Sequence, residues 1–350
     1  MQHPGITLQI HINESGMSRK ELALRTGVTE KHISTILNGR RSISVAFAKK
    51  LGYVFETPRF WIDLQSEYDE YQANIQEKNA ITQEEVSILK HLRKIIESYI
   101  EKGYLNSGGD IETVLSLRSI LNVSNLLVIP EINNHTVYRI QQTSNVNVDP
   151  YVMFAWQRLC ELEAAKIDIA GSLNVKLLVD NLLSIKSMMF DEINTVIIDL
   201  QKTFASCGIA FQVVKNFRGA PVQGYIKKLL DGNLILCLTI RGQRADTFWF
   251  TLFHEIAHIV HGDYDNQFID FSSARSDAET EADKFSCNML IDPEAYRDFL
   301  YSEDNIDWES IKKFAAKNSV QPFIVLGRLQ KDGILDWSDY SSKVVKYVWS

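Results

Sequence analysis

The sequence predicts a mainly α protein with one small β-sheet, an α+β chain made of an all-helical N-terminal domain, a helical connector and a larger C-terminal domain that holds the sheet. Three observations predict it. Through most of the chain, apolar residues return every three or four positions, the period of an amphipathic helix. Only at Ile209–Val214, Val222–Leu229 and Leu234–Ile240 does the pattern become strand-like, with Gly208 and Asp231-Gly232 as punctuation. One stretch, Thr247–Gly262, is apolar nearly all round, the mark of a helix covered on every side.

A length of 350 residues predicts two to three domains. The divisions fall at 1–71, 72–148, 149–295 and 296–350. With 45% hydrophobic and 23% charged residues the composition is that of a globular chain, which excludes a disordered or fibrous protein. The start has neither a basic segment nor an apolar one of the kind that directs secretion, and no apolar run is long enough to span a bilayer. Cys160, Cys207, Cys237 and Cys287 lie far apart and form no Cys-x-x-Cys pair, so no disulfide framework is expected. Together these features lead us to expect a cytoplasmic protein with no membrane partner.

Residues 1–55 hold eight Lys or Arg against three Glu, a local charge of +5 in a chain of net charge -7, which leaves -12 for the rest. A basic end on an acidic chain points to a local contact with nucleic acid. Within it, Ser18 opens a short helix to Arg25, and Thr26-Gly27-Val28 makes a tight turn. Thr29 caps a second helix, Glu30–Leu37, which Asn38-Gly39 ends. Leu22, Ala23, Val28, Ile33, Ile36 and Leu37 supply contacts between the two helices. Two short helices joined by a glycine-bearing turn form a helix-turn-helix. Its outward positions on the second helix are Glu30, Lys31, Ser34 and Thr35, suited to the edges of bases. Ser18, Arg19, Asn38, Arg40 and Arg41 are suited to phosphates. Trp61, Leu64 and Tyr68 read as the core face of a fifth helix. The segments Ser-Arg-Lys-Glu-Leu-Ala-Leu-Arg-Thr-Gly-Val-Thr, Ile-Leu-Asn-Gly-Arg-Arg-Ser-Ile-Ser and Pro-Arg-Phe-Trp-Ile-Asp-Leu resemble the HigA-like branch of the XRE-type helix-turn-helix proteins over about residues 3–71. That resemblance implies a double-stranded DNA operator as partner and a homodimer on paired half-sites.

Residues 72–148 give a helix over Ile81–Lys102, a break at Asn106-Ser-Gly-Gly109 and a helix over Asp110–Leu121. Asp149 caps a long helix that Pro150 opens and that runs to about Ala170, and Asp191–Cys207 is another. Then come the three strands. An edge of such a sheet can take up an extended peptide as an added strand. Downstream, Trp308–Asn318 and Gln321–Leu329 read as helices that close the core or make a dimer contact.

The buried helix carries His254, Glu255 and His258, with Asp246 as a possible cap and Gly262 at its end. Two imidazoles and a carboxylate in an apolar helix are costly unless something satisfies them. Histidines four positions apart leave the same helix face, so both can bind one zinc ion, with Glu255 beside the reacting water. The alternative is a pair of histidines that bond to backbone carbonyls, and the intervening Glu255 speaks against it. A third ligand is expected from Ser276–Leu290. Ser276 and Glu279 fit a capping box, and Ala278, Ala282, Phe285 and Met289 form an inward stripe that Glu281 borders. Glu281 is therefore the expected third ligand, with Glu279 as cap or as support for the ligands. His261 is the rival ligand, assigned to the helix end or to supporting a ligand because one helix rarely wraps three ligands around an ion.

Phe-Trp-Phe-Thr-Leu-Phe-His-Glu-Ile-Ala-His-Ile-Val-His-Gly, then Glu-Thr-Glu-Ala-Asp-Lys-Phe and Ile-Asp-Pro, resemble the ImmA/IrrE family of zinc metallopeptidases over the second half of the chain. The resemblance implies a zincin-like peptidase fold, Zn2+ on His254, His258 and Glu281, and Glu255 as general base. Asp292, between Ile291 and Pro293, departs from the more apolar family segment. Taken together, the two resemblances imply a DNA-binding regulator with a zinc-dependent endopeptidase that cuts a repressor or antitoxin-like protein in a stress, mobile-element or toxin-antitoxin response. The alternative is a non-catalytic, antitoxin-like regulator whose metal domain is structural or sensory.

Overall fold

The computed structural model describes all residues except 137–147, 240–242, 265–267, 271–276, 303–305 and 348–350. The chain divides into two compact units, Met1–Val86 and Ser87–Ser350.

The first unit holds the helices Pro4–Glu14, Arg19–Thr26, Glu30–Leu37, Val45–Leu51 and Pro58–Ala80. Each starts where a side chain takes up an orphan backbone N–H. Ser18 accepts from Glu21 N, Thr29 from His32 N, Ser44 from Phe47 N and Thr57 from Phe60 N. Gly27 ends the second helix in the left-handed region at φ 61°, which lets the chain turn at once into Thr29. Leu8, Leu22, Ile33, Ile36, Leu51 and Trp61 are fully buried between the helices. A Cβ at Gly5 would overlap the Ile36 carbonyl, so the first and third helices touch backbone to backbone. The buried Gln65 side chain accepts from Ile43 N at 2.8 Å and fixes the loop before the fourth helix. Leu64 and Tyr68 are half-buried, and the fifth helix runs unbroken past residue 71 to Ala80. The division expected at 71 thus falls within a helix.

The second unit begins within the helix Gln83–Glu101 and adds Asp110–Leu121, Ile129–Thr136 and Pro150–Ala164. Asp149 caps the last of these by accepting from Tyr151 N and Val152 N. That helix stops at Ala164, short of the expected 170, where Ala165 and Lys166 reach solvent. Residues 87–132 are no mere connector. Tyr99, fully buried, donates its hydroxyl to the Ala155 carbonyl at 2.7 Å, and Tyr104 and Lys102 both hold Glu163.

Two short helices the pattern did not reveal, Val175–Asp180 and Leu182–Ser187, precede the helix Ile193–Ser206. The sheet has four strands, β1 (Ile209–Val213), β2 (Gly224–Lys228), β3 (Leu234–Leu238) and β4 (Phe268–Asp270), in the order β1-β3-β2-β4. The β1–β3 pair is parallel, and β2 runs antiparallel to both β3 and β4. The edges are therefore β1 and β4. Alternation splits the strands between two faces. Phe211, Ile226, Leu234 and Leu236 join the main core, whereas Tyr225 packs on Trp156 of the helix Pro150–Ala164.

That core surrounds the helix Ala245–His261, whose Phe248, Trp249, Leu252, Phe253, Ile256 and Ile259 are buried. The helices Asp277–Leu290, Pro293–Ser302, Trp308–Lys317 and Pro322–Lys331 complete it, so residues 296–347 share one core with the sheet. Near its C-terminal end the chain straps across the start of the buried helix. Ala245 N donates to Val345 O, Tyr347 N to Gln243 O, and Trp249 Nε1 to the Tyr347 hydroxyl at 2.8 Å. Among the described residues no single helix is long and apolar enough to cross a membrane.

Candidate metal centre

The helix Ala245–His261 is the scaffold of the site. Gly262 closes it in the left-handed region at φ 83°, as expected. Its start differs from expectation. The N-cap is Arg244, and no side chain caps it. Asp246 lies inside the first turn, where Arg244 holds its carboxylate with Nε at 2.9 Å and Nη2 at 2.7 Å. Arg244 also reaches Gln330, and a side chain at Gly327 would overlap the Asp246 carboxylate, so the helix Pro322–Lys331 locks this end.

Asp277–Leu290 packs along the buried helix through small residues. Ala282 is fully buried, and Ser286 donates to the Phe250 carbonyl at 2.8 Å. The close approach carries Glu279, one turn earlier, to the two histidines. His254 Nε2 lies 3.1 Å from Glu279 Oε2, His258 Nε2 lies 3.5 Å from Glu279 Oε1, and the two Nε2 atoms are 3.1 Å apart. One donor atom from each of His254, His258 and Glu279 lies within 4.8 Å of the other two.

This corrects the expected ligand set. Glu281 is exposed. Two positions after Glu279 it is turned most of the way round the helix from the histidines. The face that meets the buried helix runs through Glu279, Ala282 and Ser286; it shares Ala282 with the expected stripe and lies on the side of it away from Glu281. Glu279 stands among the donors rather than as a cap, and Ser276 lies outside the described residues. His261 is exposed at the helix end, with its ring edge-on to Phe285 at 5.8 Å.

Two aspartates absent from the sequence reading orient the imidazoles. Asp283 Oδ1 lies 3.0 Å from His254 Nδ1, and Asp263 Oδ2 lies 3.4 Å from His258 Nδ1. A carboxylate on Nδ1 fixes the tautomer that leaves the Nε2 lone pair for a metal and raises its basicity. Burial, and then the neighbouring His254, hold the His258 pKa below the usual histidine range, which favours the neutral, ligating form. The hydrogen bond to His254 holds Asp283 below the usual carboxylate range, with Lys331 adding to it. The sequence contained both signals, since Asp283 is four positions after Glu279 on one helix and Asp263 directly follows the Gly262 cap. The donor set of two buried imidazoles and one carboxylate, each imidazole held by a second carboxylate, fits Zn2+ in a three-ligand site.

Glu255 is fully buried and lies against Gly224 of β2. A Cβ at residue 224 would overlap its carboxylate, so glycine is required there for a steric reason. Gly224→Ala is expected to lower the unfolding free energy by about 1–3 kcal/mol, the usual cost of overpacking. Denaturant titration checks this, and a wild-type midpoint would show that Glu255 has room to move aside.

In the first unit Ser18, Arg19, Glu30, Lys31, Asn38, Arg40 and Arg41 are exposed, while Ser34 and Thr35 are half-buried. The Thr35 hydroxyl donates to the His32 carbonyl at 2.7 Å, and Arg19 Nη2 donates to Gln9 at 3.1 Å.

Residues 11–62 match the helix-turn-helix family model, and residues 221–330 match that of the IrrE N-terminal-like domain. The chain is 38% identical over 69 residues to virulence-associated protein A' of Dichelobacter nodosus; the match covers 19% of this chain and 60% of that protein's length. Among solved structures it is similar to the Pseudomonas aeruginosa antitoxin HigA with its higBA promoter, at 32% identity over 23% of this chain and 96% of that one, TM-score 0.21. It is also similar to an addiction module antidote protein of the HigA family from Coxiella burnetii, at 31% identity over 28% and 91% of the two chains, TM-score 0.20.

Proposed function

We propose that this chain, which joins an XRE-type helix-turn-helix domain to an IrrE-like metallopeptidase domain, is a cytoplasmic DNA-binding regulator that cleaves a repressor or antitoxin-like protein with a zinc-dependent endopeptidase site. The observation that carries the reading is the convergence of His254, His258 and Glu279 beside the buried Glu255. A structural site would have no need of Glu255. A zinc ion bound there would supply Lewis acidity toward a water and a scissile carbonyl. His254, His258 and Glu279 would hold the ion, with Asp283 and Asp263 keeping the imidazoles in ligating orientation. Glu255 accepts the proton of the attacking water and delivers it to the leaving amine nitrogen. Gly224 leaves room for that carboxylate. Incubating the zinc-loaded protein with proteins encoded beside it, with and without a chelator, tests the reading. Discrete chelator-sensitive cuts are expected, and an intact set of candidate targets would overturn it.

The helix Glu30–Leu37 enters the major groove as the chain's share of operator reading, and a homodimer supplies the second half-site. Arg40→Ala or Arg41→Ala is expected to weaken binding to all DNA alike and to reduce the salt slope by about one. Lys31→Ala and Ser34→Ala are expected to change which sequence is preferred. Thr35 should matter less, because its hydroxyl is held within the helix. Binding isotherms at several salt concentrations check both. DNA binding undiminished by removal of residues 1–86 would refute this assignment.

A further inference from the structure

On the sheet face opposite the buried metal helix lies a cavity of about 440 Å³, lined by the helix Pro150–Ala164, the residues just after it, and all three longer strands. Its walls are of two kinds. Ala164, Ile167, Ile169, Ala210 and Ile235 make an apolar body. Arg158, Glu161 and Lys227 make a polar head, with their side chains 27%, 21% and 30% exposed. The head is built rather than incidental. Glu161 pairs with Lys227 through Oε1 and with Arg158 Nη1 through Oε2 at 2.8 Å, while Arg158 Nε donates to the Ile120 carbonyl at 2.7 Å.

Arg158, Lys227 and Glu161 give the head a charge of +1, which Asp231 elsewhere in the lining balances. What favours an anion at the head is the hydrogen-bond count. A guanidinium has five donors and an ammonium three. Arg158 uses two on partners and Lys227 one. Glu161 has already engaged both of its oxygens. Asp231, the other acid in the lining, accepts from Asn233 N and Asn233 Nδ2 at 3.0 and 3.1 Å. The free capacity of the site is thus cationic donor capacity on Arg158 and Lys227 beside an apolar wall. Partial burial strengthens an ion pair formed there. The size falls in the range of small-molecule sites, which combine an apolar lining with a few polar groups that fix orientation.

We propose that this cavity is a binding site for a small monocarboxylate with an apolar body, its carboxylate on Arg158 and Lys227 and its hydrocarbon part against Ile167, Ile169 and Ile235. The site is separate from the metal centre and gives the second unit a small-molecule input. The proposal is independent of whether that centre cuts peptides.

Calorimetric titration of the full chain with sodium hexanoate, sodium benzoate and hexan-1-ol tests it. Saturable one-to-one binding of at least one carboxylate is expected, with hexan-1-ol at least about tenfold weaker, since loss of a charge-assisted hydrogen bond is a loss of that order. Lys227→Met should weaken carboxylate binding about tenfold or more. Ala165→Trp, at an exposed position on the rim, should block it while leaving the thermal unfolding midpoint in place. No saturable binding of either carboxylate, equal binding of hexan-1-ol, or undiminished binding by Ala165→Trp would each overturn the proposal.

Discussion

Glu279→Ala is expected to leave the purified protein without stoichiometric zinc, and Glu281→Ala to leave zinc content as in the wild type. The carboxylate of Glu279 faces both Nε2 atoms at 3.1 and 3.5 Å, whereas that of Glu281 is in solvent. Loss of an outer partner of a ligand costs about 10–100-fold in metal affinity, and loss of a ligand should cost more. Asp283→Asn therefore belongs between the two, because it keeps His254 in place but weakens its orientation. Zinc content by elemental analysis, with competition against a chromogenic chelator for affinity, reads the whole series. Retention of zinc by Glu279→Ala together with its loss in Glu281→Ala would return the site to the assignment read from spacing.

Glu255→Gln is expected to keep zinc, fold and DNA binding while cleavage of the cognate protein falls about 10²–10⁴-fold, the usual contribution of a positioned general base. The substitution keeps the shape that packs against Gly224 and removes only the proton acceptor. The decisive readout is the half-life of the target protein in cells that carry wild type, Glu255→Gln or an Arg40/Arg41 double Ala variant. A non-catalytic regulator predicts equal half-lives for wild type and Glu255→Gln, with altered target-gene expression only in the arginine variant.

How far the sequence revealed the molecule depended on whether a signal was local. Caps at Ser18, Thr29 and Asp149 and the left-handed glycines Gly27 and Gly262 act within one turn of the chain, and each appears in the structure as read. The parallel β1–β3 pairing and the fourth strand depend on distant residues and left no such trace. Neither did Gly224, whose lack of a side chain has meaning only against Glu255. The choice of Glu281 over Glu279 failed for a related reason. A hydrophobic stripe gives a helix face only to within a residue or two, and the true contact here runs through Ser286, a buried polar residue that such a stripe overlooks. The helix Val175–Asp180 is too short to show a period at all.

The strap from Val345 to Tyr347 has a consequence for how the protein is made. Tyr347 closes on Trp249, a residue synthesised 98 positions earlier. Until Tyr347 leaves the ribosome, the most apolar helix of the chain lacks part of its cover, and uncovered apolar surface is what makes a nascent chain aggregate. The first unit needs nothing beyond Val86 to complete its core. At about 5–20 residues per second, translation separates the two events by roughly 10–50 s. Each new molecule therefore passes through a period in which its helix-turn-helix is finished and its metal helix is not. In that interval the first unit has its full core, while the start of the metal helix still lacks the cover that Tyr347 brings.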